Sequence, residues 1–215
     1  MGQGIAQVCA AAGLEARLVD AAPGRAEAAI AAIAAQLGRS VDKGKLTAEA
    51  RTATLARLVA ATELEAASEG IDLVIEAVPE SMELKVSLLG RVVGAAPPTA
   101  LIASNTSSLS ITELGARIGA APRTVGLHFF NPPPVMELLE VVRGLGTSSE
   151  TLDASVALAK RLGKTSIVVH DTPGFATANQ CWIRGPLAAR AKYGSPTDQA
   201  SRVMTARTGG CEPSG

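Results

Sequence analysis

The sequence predicts an α/β protein built on a doubly wound parallel sheet, followed by the start of an all-α region. Three observations carry that expectation. Strand-like and helix-like segments alternate with short connections from residue 14 to residue 170. The segment "IDLVIEAV" (71–78) is an almost unbroken apolar run, the pattern of a strand buried on both faces of a parallel sheet. The opening "MGQGIAQVCAAAG" is a glycine-rich stretch entering an alanine-rich helix, as at a strand-to-helix turn.

The elements follow in order. "LEARLVD" (14–20) reads as a short strand ending on an acidic residue. In "GRAEAAIAAIAAQL" (24–37), Ile30, Ile33 and Leu37 share one face, so a helix is expected, with "GRSVDKGK" as the turn after it. Thr47 can cap a second helix, "AEARTATLARLV" (48–59). After the apolar strand, residues 81–93 form a helix, "TALIAS" (99–104) a strand and "LSITELGARI" (109–118) a helix, with Ser108 or Ser110 as N-cap. "RTVGLHFF" (123–130) and "MELLEVV" (136–142) are strands on either side of "NPPP"; residues 148–162 are a helix and "TSIVVH" (165–170) a strand. After "DTPGF" (171–175) strand signals fade, and Gly185–Pro186 interrupts a helical stretch. Two domains are expected, 1–171 and the beginning of a helical one, 172–215.

Composition narrows the function classes. Lys plus Arg and Asp plus Glu are both 20, so the net charge is zero and the electrostatic footprint of nucleic-acid binding is missing. Apolar residues are 47% of the chain, enough for a sizeable core, yet no run approaches the length of a membrane span. The start lacks the basic region of a signal peptide, and Cys9, Cys181 and Cys211 are far apart and odd in number. A cytoplasmic protein without disulfides or a metal centre is the expectation.

The dinucleotide fingerprint is G-x-G-x-x-G between strand and helix, with an acidic residue about 20 positions on. Gly2 fits its last glycine, Gly4 continues the close packing, and Asp20 ends the next strand. An aspartate there accepts both ribose hydroxyls of NAD and repels the extra phosphate of NADP. A glycine-rich helix start with an exposed aspartate is the competing reading of these residues alone.

Further motifs settle the balance. "IEAVPESMELK" (75–85), "ASNTSSLSI" (103–111), "GLHFFNPPPVMELLEVV" (126–142) and "DTPGF" occur in one order. With these motifs the chain resembles the 3-hydroxyacyl-CoA dehydrogenase family, well over residues 1 to about 175 and weakly beyond. The resemblance implies a Rossmann-like domain, with NAD as cofactor and an acyl-CoA as substrate. It also implies homodimerisation for a full-length form. The family begins with a strand and "GxGxMG", so this sequence is expected to lack the first strand and two phosphate-cradling glycines. Without a central strand, the chain is expected to fold poorly alone.

Alcohol oxidation needs a base beside the hydroxyl, and an imidazole exchanges protons near neutral pH. By the resemblance His128 is that base and Glu140 its carboxylate partner. Ser107 bonds the substrate oxygen and lies near the nicotinamide, Asn105 supports its loop, and Asn131 lines the nicotinamide site. Glu80 and Lys85 are cofactor contacts. Lys43 meets coenzyme A, with Arg39 and Lys45 as nearby cations. The family has an asparagine three residues after "PGF"; here Ala178 holds that position, and Asn179, one later, is its candidate replacement. Two alternatives stay open: a non-catalytic derivative of the scaffold, or a detached part of a multifunctional β-oxidation protein.

Overall fold

The computed structural model describes residues 1–172 and 202–207. The elements are α1 (Gly2–Ala11), β1 (Glu15–Asp20), α2 (Arg25–Asp42), α3 (Ala48–Leu55), β2 (Leu58–Ala61), α4 (Leu64–Ser68), β3 (Leu73–Glu76), α5 (Met82–Ala95), β4 (Leu101–Ser104), α6 (Ile111–Arg117), β5 (Thr124–Phe129), β6 (Leu138–Arg143), α7 (Ser149–Arg161), β7 (Thr165–His170) and β8 (Arg202–Arg207).

Among the described residues, eight strands form one sheet, in the order β2-β1-β8-β3-β4-β5-β6-β7. Strand alternation sends successive side chains to opposite faces. On one face Leu73 and Ile75 of β3 join α1, α2 and α7 through Ile5, Ile33 and Ala159. On the other, Val74 meets α4, α5 and α6 through Leu64, Leu89 and Leu114. Both faces are covered by helices, which is why β3 reads as continuously apolar until Glu76.

Thr47 caps α3 as expected, Ser110 is the cap of the Ser108/Ser110 alternatives, and Ser148 and Ser81 act in the same way. Thr47, Ser110 and Ser148 side chains accept backbone N–H groups of Ala50, Glu113 and Thr151, and Ser81 accepts that of Leu84. Each satisfies a donor that has no partner within its own helix.

Three local expectations need correction. Helix α2 runs on through "GRSVD" to Asp42, and the turn begins at Lys43. Ser40 stays helical by donating its hydroxyl to the Gln36 carbonyl, the back-bonding open to a serine inside a helix. The second helix stops at Leu55, and Leu58–Ala61 is a strand parallel to β1. Its apolar run was hidden in a helical pattern, because a four-residue strand is too short to declare its own period.

The third concerns the central slot. The expected layout leaves the place between β1 and β3 without a strand. β8 lies there, antiparallel to both, with Thr205 opposite Arg17 on one side and Val74 on the other. These six residues, expected within the helical region, are strand instead, and Ala206 is buried in the main core.

Candidate active site

Strands β1, β3, β4 and β5 run parallel in pairs to β2 or to one another, so their C-terminal ends share one edge of the sheet. Open α/β sheets bind ligands at that edge. A cleft of about 300 Å³ lies there, lined by Met1, Glu80, Asn105, Ser107, His128 and Asn131 among others.

His128 and Glu140 come together through strand register. β5 and β6 are antiparallel, and these two residues stand directly opposite each other. Nδ1 of His128 lies 2.6 Å from Oε2 of Glu140. The glutamate is fully buried and the imidazole 14% exposed at the cleft. A carboxylate in this position fixes the ring's orientation and favours the tautomer with its proton on Nδ1, which leaves Nε2 the basic nitrogen. The ring also packs at a tilt on Phe130, centroids 4.7 Å apart.

The Ser107 loop is tied from two sides. Asn105 accepts the Phe129 N–H through Oδ1 at 2.9 Å, joining the loop to the strand that carries His128. Oε1 of Glu80 gathers the Thr106 hydroxyl, the Ser107 and Ser108 N–H groups and the Ser108 hydroxyl. Burial works to raise the Glu80 pKa, but the Thr106 hydroxyl, the Lys85 charge and the Ser107 and Ser108 donors outweigh it and hold it below the ordinary value.

Other predicted residues lie elsewhere. Lys85 is 1% exposed, packed beneath the cleft rather than within it. Asp20 ends β1 on the same sheet edge, accepts the Ala22 N–H at 3.0 Å, and lines two neighbouring clefts. In β8, Arg202 is the residue in register with it. Gly2 is the buried first residue of α1, whose N-terminal end begins beside the cleft at Met1; the partial positive charge of such an end suits a diphosphate. Gly4 lies so close to the proline-rich loop after β5 that a Cβ there would be 2.8 Å from Pro133 Cδ. Lys43, Arg39 and Lys45 are exposed around the C-terminal end of α2. Ala178 and Asn179 lie outside the described residues.

Sequence reasoning gave no role to Glu76 or Asp171. Glu76 is fully buried and accepts the Ser104 hydroxyl at 2.6 Å. Asp171 accepts the Ser110 hydroxyl and the Ile111 and Thr112 N–H groups, so it closes the start of α6. The signal for Glu76 was available: a carboxylate at the end of an otherwise apolar buried strand. Burial pushes the Cys9 thiol up to about 12 against the opposing pull of Arg161, so it is no nucleophile near neutral pH. Among the described residues no helix is long and apolar enough to cross a membrane.

Comparison with known proteins identifies the family of the fold. Residues 1–172 match the family described as the NAD-binding domain of 3-hydroxyacyl-CoA dehydrogenase. A probable 3-hydroxybutyryl-CoA dehydrogenase of Bacillus subtilis is 44% identical over 177 residues, covering 82% of this chain and 61% of the relative. A 3-hydroxyadipyl-CoA dehydrogenase of Escherichia coli is 44% identical over 175 residues, covering 81% of this chain and 37% of the relative. The crystal structure of an (S)-3-hydroxybutyryl-CoA dehydrogenase from Ralstonia eutropha superposes with a TM-score of 0.80 at 43% identity, covering 85% of this chain and 64% of that one. The chain thus spans less than two thirds of the length of each of these relatives.

Proposed function

The chain belongs to the 3-hydroxyacyl-CoA dehydrogenase family and carries its NAD-binding domain, and on that premise we propose that it oxidises (S)-3-hydroxyacyl-CoA thioesters to their 3-oxo forms. The observation that carries the reading is the His128–Glu140 pair, whose imidazole lines the cleft. NAD supplies the hydride acceptor when bound. Nε2 of His128 takes the hydroxyl proton as hydride leaves the carbon, and Glu140 stabilises the resulting imidazolium. In the reverse direction the same proton returns to the oxygen. Ser107 holds the substrate oxygen, Asn131 borders the nicotinamide, and Asp20 takes the ribose hydroxyls and so selects NAD over NADP. Lys43, with Arg39 and Lys45, meets the coenzyme A phosphates. Asn179 stands for the family's substrate-contacting asparagine. The setting is acyl-CoA metabolism in the cytoplasm.

The test compares wild type with His128→Gln, using NADH titration and turnover of 3-hydroxybutyryl-CoA. A general base supplies about 10²–10⁴-fold, so turnover falls by that range while NADH affinity barely changes. Full turnover in the variant, with chemistry rate-limiting, removes His128 from the reaction. A wild-type chain that binds NADH without turning over substrate would favour the non-catalytic derivative.

A further inference from the structure

Charged groups stand where the apolar pattern of this domain calls for hydrocarbon. Met82, Lys85, Leu89 and Val92 form the buried stripe that α5 turns to the sheet. Glu76 continues Val74 on the facing side of β3. Lys85 is 1% exposed and Glu76 not at all. Burying either charge is unfavourable unless partners take over from water.

The partners are all within the protein. Nζ of Lys85 donates to Glu76 Oε1 at 2.7 Å and to the Val78 carbonyl at 3.2 Å, and lies 3.4 Å from Glu80 Oε2. An ammonium has three N–H donors, and three oxygens surround this one. Glu76 is itself braced, by the Val78 N–H on Oε1 and the Ser104 hydroxyl on Oε2. Glu80 then faces two ways. Oε2 points to Lys85, and Oε1 accepts from the Thr106–Ser108 turn.

We propose that Lys85 is a positioning residue: anchored on Glu76, it fixes the Glu80 carboxylate that shapes the Thr106–Ser108 turn, and so sets the Ser107 hydroxyl at the cleft. What Ser107 then does rests on the dehydrogenase reading; the contacts beneath it do not. The role is separate from the cofactor contact that family resemblance implies for Lys85.

Charge removal should therefore be felt at the turn. The titratable groups facing Glu80 are Lys85 from α5 and Glu76 from β3, with His128 on the wall of the same cleft. Without the lysine, Glu80 takes up a proton at higher pH, and a protonated carboxyl is a poorer acceptor for two amides. Lys85→Met alone would leave Glu76 buried without its cation, which threatens the fold for reasons unrelated to the turn. Lys85→Met combined with Glu76→Gln removes both charges together, and Lys85→Gln is the milder second variant.

The experiment reads backbone hydrogen exchange in the full chain. The Ser107 and Ser108 amides should exchange at least about tenfold faster in the variants, with β3 and β5 as protected as in wild type. On acidification, the protection at these two amides should also be lost at a higher pH than in wild type. Unchanged protection at Ser107 and Ser108 overturns the proposal. A uniform loss across β3, β5 and the turn also overturns it, because Lys85 would then serve the core alone. In a parallel NADH titration, weakened binding with the turn still protected would make Lys85 a direct cofactor contact. If wild type binds no NADH, the function reading fails, and the exchange result still decides the role of Lys85.

Discussion

Two places in the sheet break its parallel course, and they are built differently. At β5 and β6 the reversal is local: the chain turns through residues 130–137 and pairs with itself. At β8 it is remote: residues 202–207 lie between strands that end at residues 20 and 76. The local reversal makes a polar pair, because antiparallel register sets His128 directly opposite Glu140. The remote one contributes a ladder on both sides and one described buried side chain, Ala206. A pair such as this can be matched by family motif when a short connection fixes the register. A structural strand recruited across the whole chain leaves no such local signature, and its closure costs loop entropy before any contact forms.

The remote junction should break most completely. Ending the chain before Arg202 removes a central strand bonded on both flanks. Whole-domain stability is only about 5–15 kcal/mol, so the cooperative thermal transition should disappear. A shortened chain that still melts cooperatively would show that the slot closes without β8.

At the local junction the largest effect is on rate. Glu140→Gln forfeits a charge-assisted bond worth about 1.5–3 kcal/mol. Turnover should then fall about 10–100-fold, with little change in NADH affinity. Equal turnover would reduce Glu140 to a packing residue.

Packing at that junction is next. A Cβ on Gly126 would lie 2.6 Å from Cβ of Val142 across the ladder. Gly126→Ala should therefore cost about 1–3 kcal/mol in urea unfolding, and Val142→Ala in the same chain should recover part of it. No recovery would place the strain elsewhere.

The smallest effect is a pH dependence beside β6, where Asp171 joins the end of β7 to α6. Burial acts to raise its pKa, but hydrogen bonds from Thr112, Ser110 and Ile111 leave it below the usual 3.8. A carboxyl lowered on folding stabilises fully above its unfolded value and loses that contribution as pH falls through the folded one. Wild type should thus be more stable than Asp171→Asn at neutral pH, and the gap should close below about pH 3.8. A gap constant down to low pH would mean that the charge is not what holds α6.

How much could be read beforehand follows the same division. Thr47 and Ser110 were legible as caps because capping is decided within four residues. His128 and Glu140 were legible because twelve residues of recognisable motif separate them. Leu58–Ala61 was not, since a helical frame fits its residues equally well and only pairing with β1 decides. Lys85 was legible as a residue but not as a buried one. Its spacing with Met82 and Leu89 marks the buried stripe, yet a lysine invites a solvent or ligand reading unless its acceptors are known. Glu76 is the complementary case, an acid whose place at the end of an apolar strand was itself the clue.

The near-contact of Gly4 with Pro133 has a mechanical meaning. Helix α1 rests on a ring that follows directly from the histidine strand, with no side chain between them to compress. Such a contact is stiff when pushed and offers little resistance when pulled. Helix α1 and the loop after β5 can therefore separate but cannot close further on each other at this point. A minimum separation between α1 and that loop is thereby set by two covalently rigid parts, a helix backbone and a pyrrolidine.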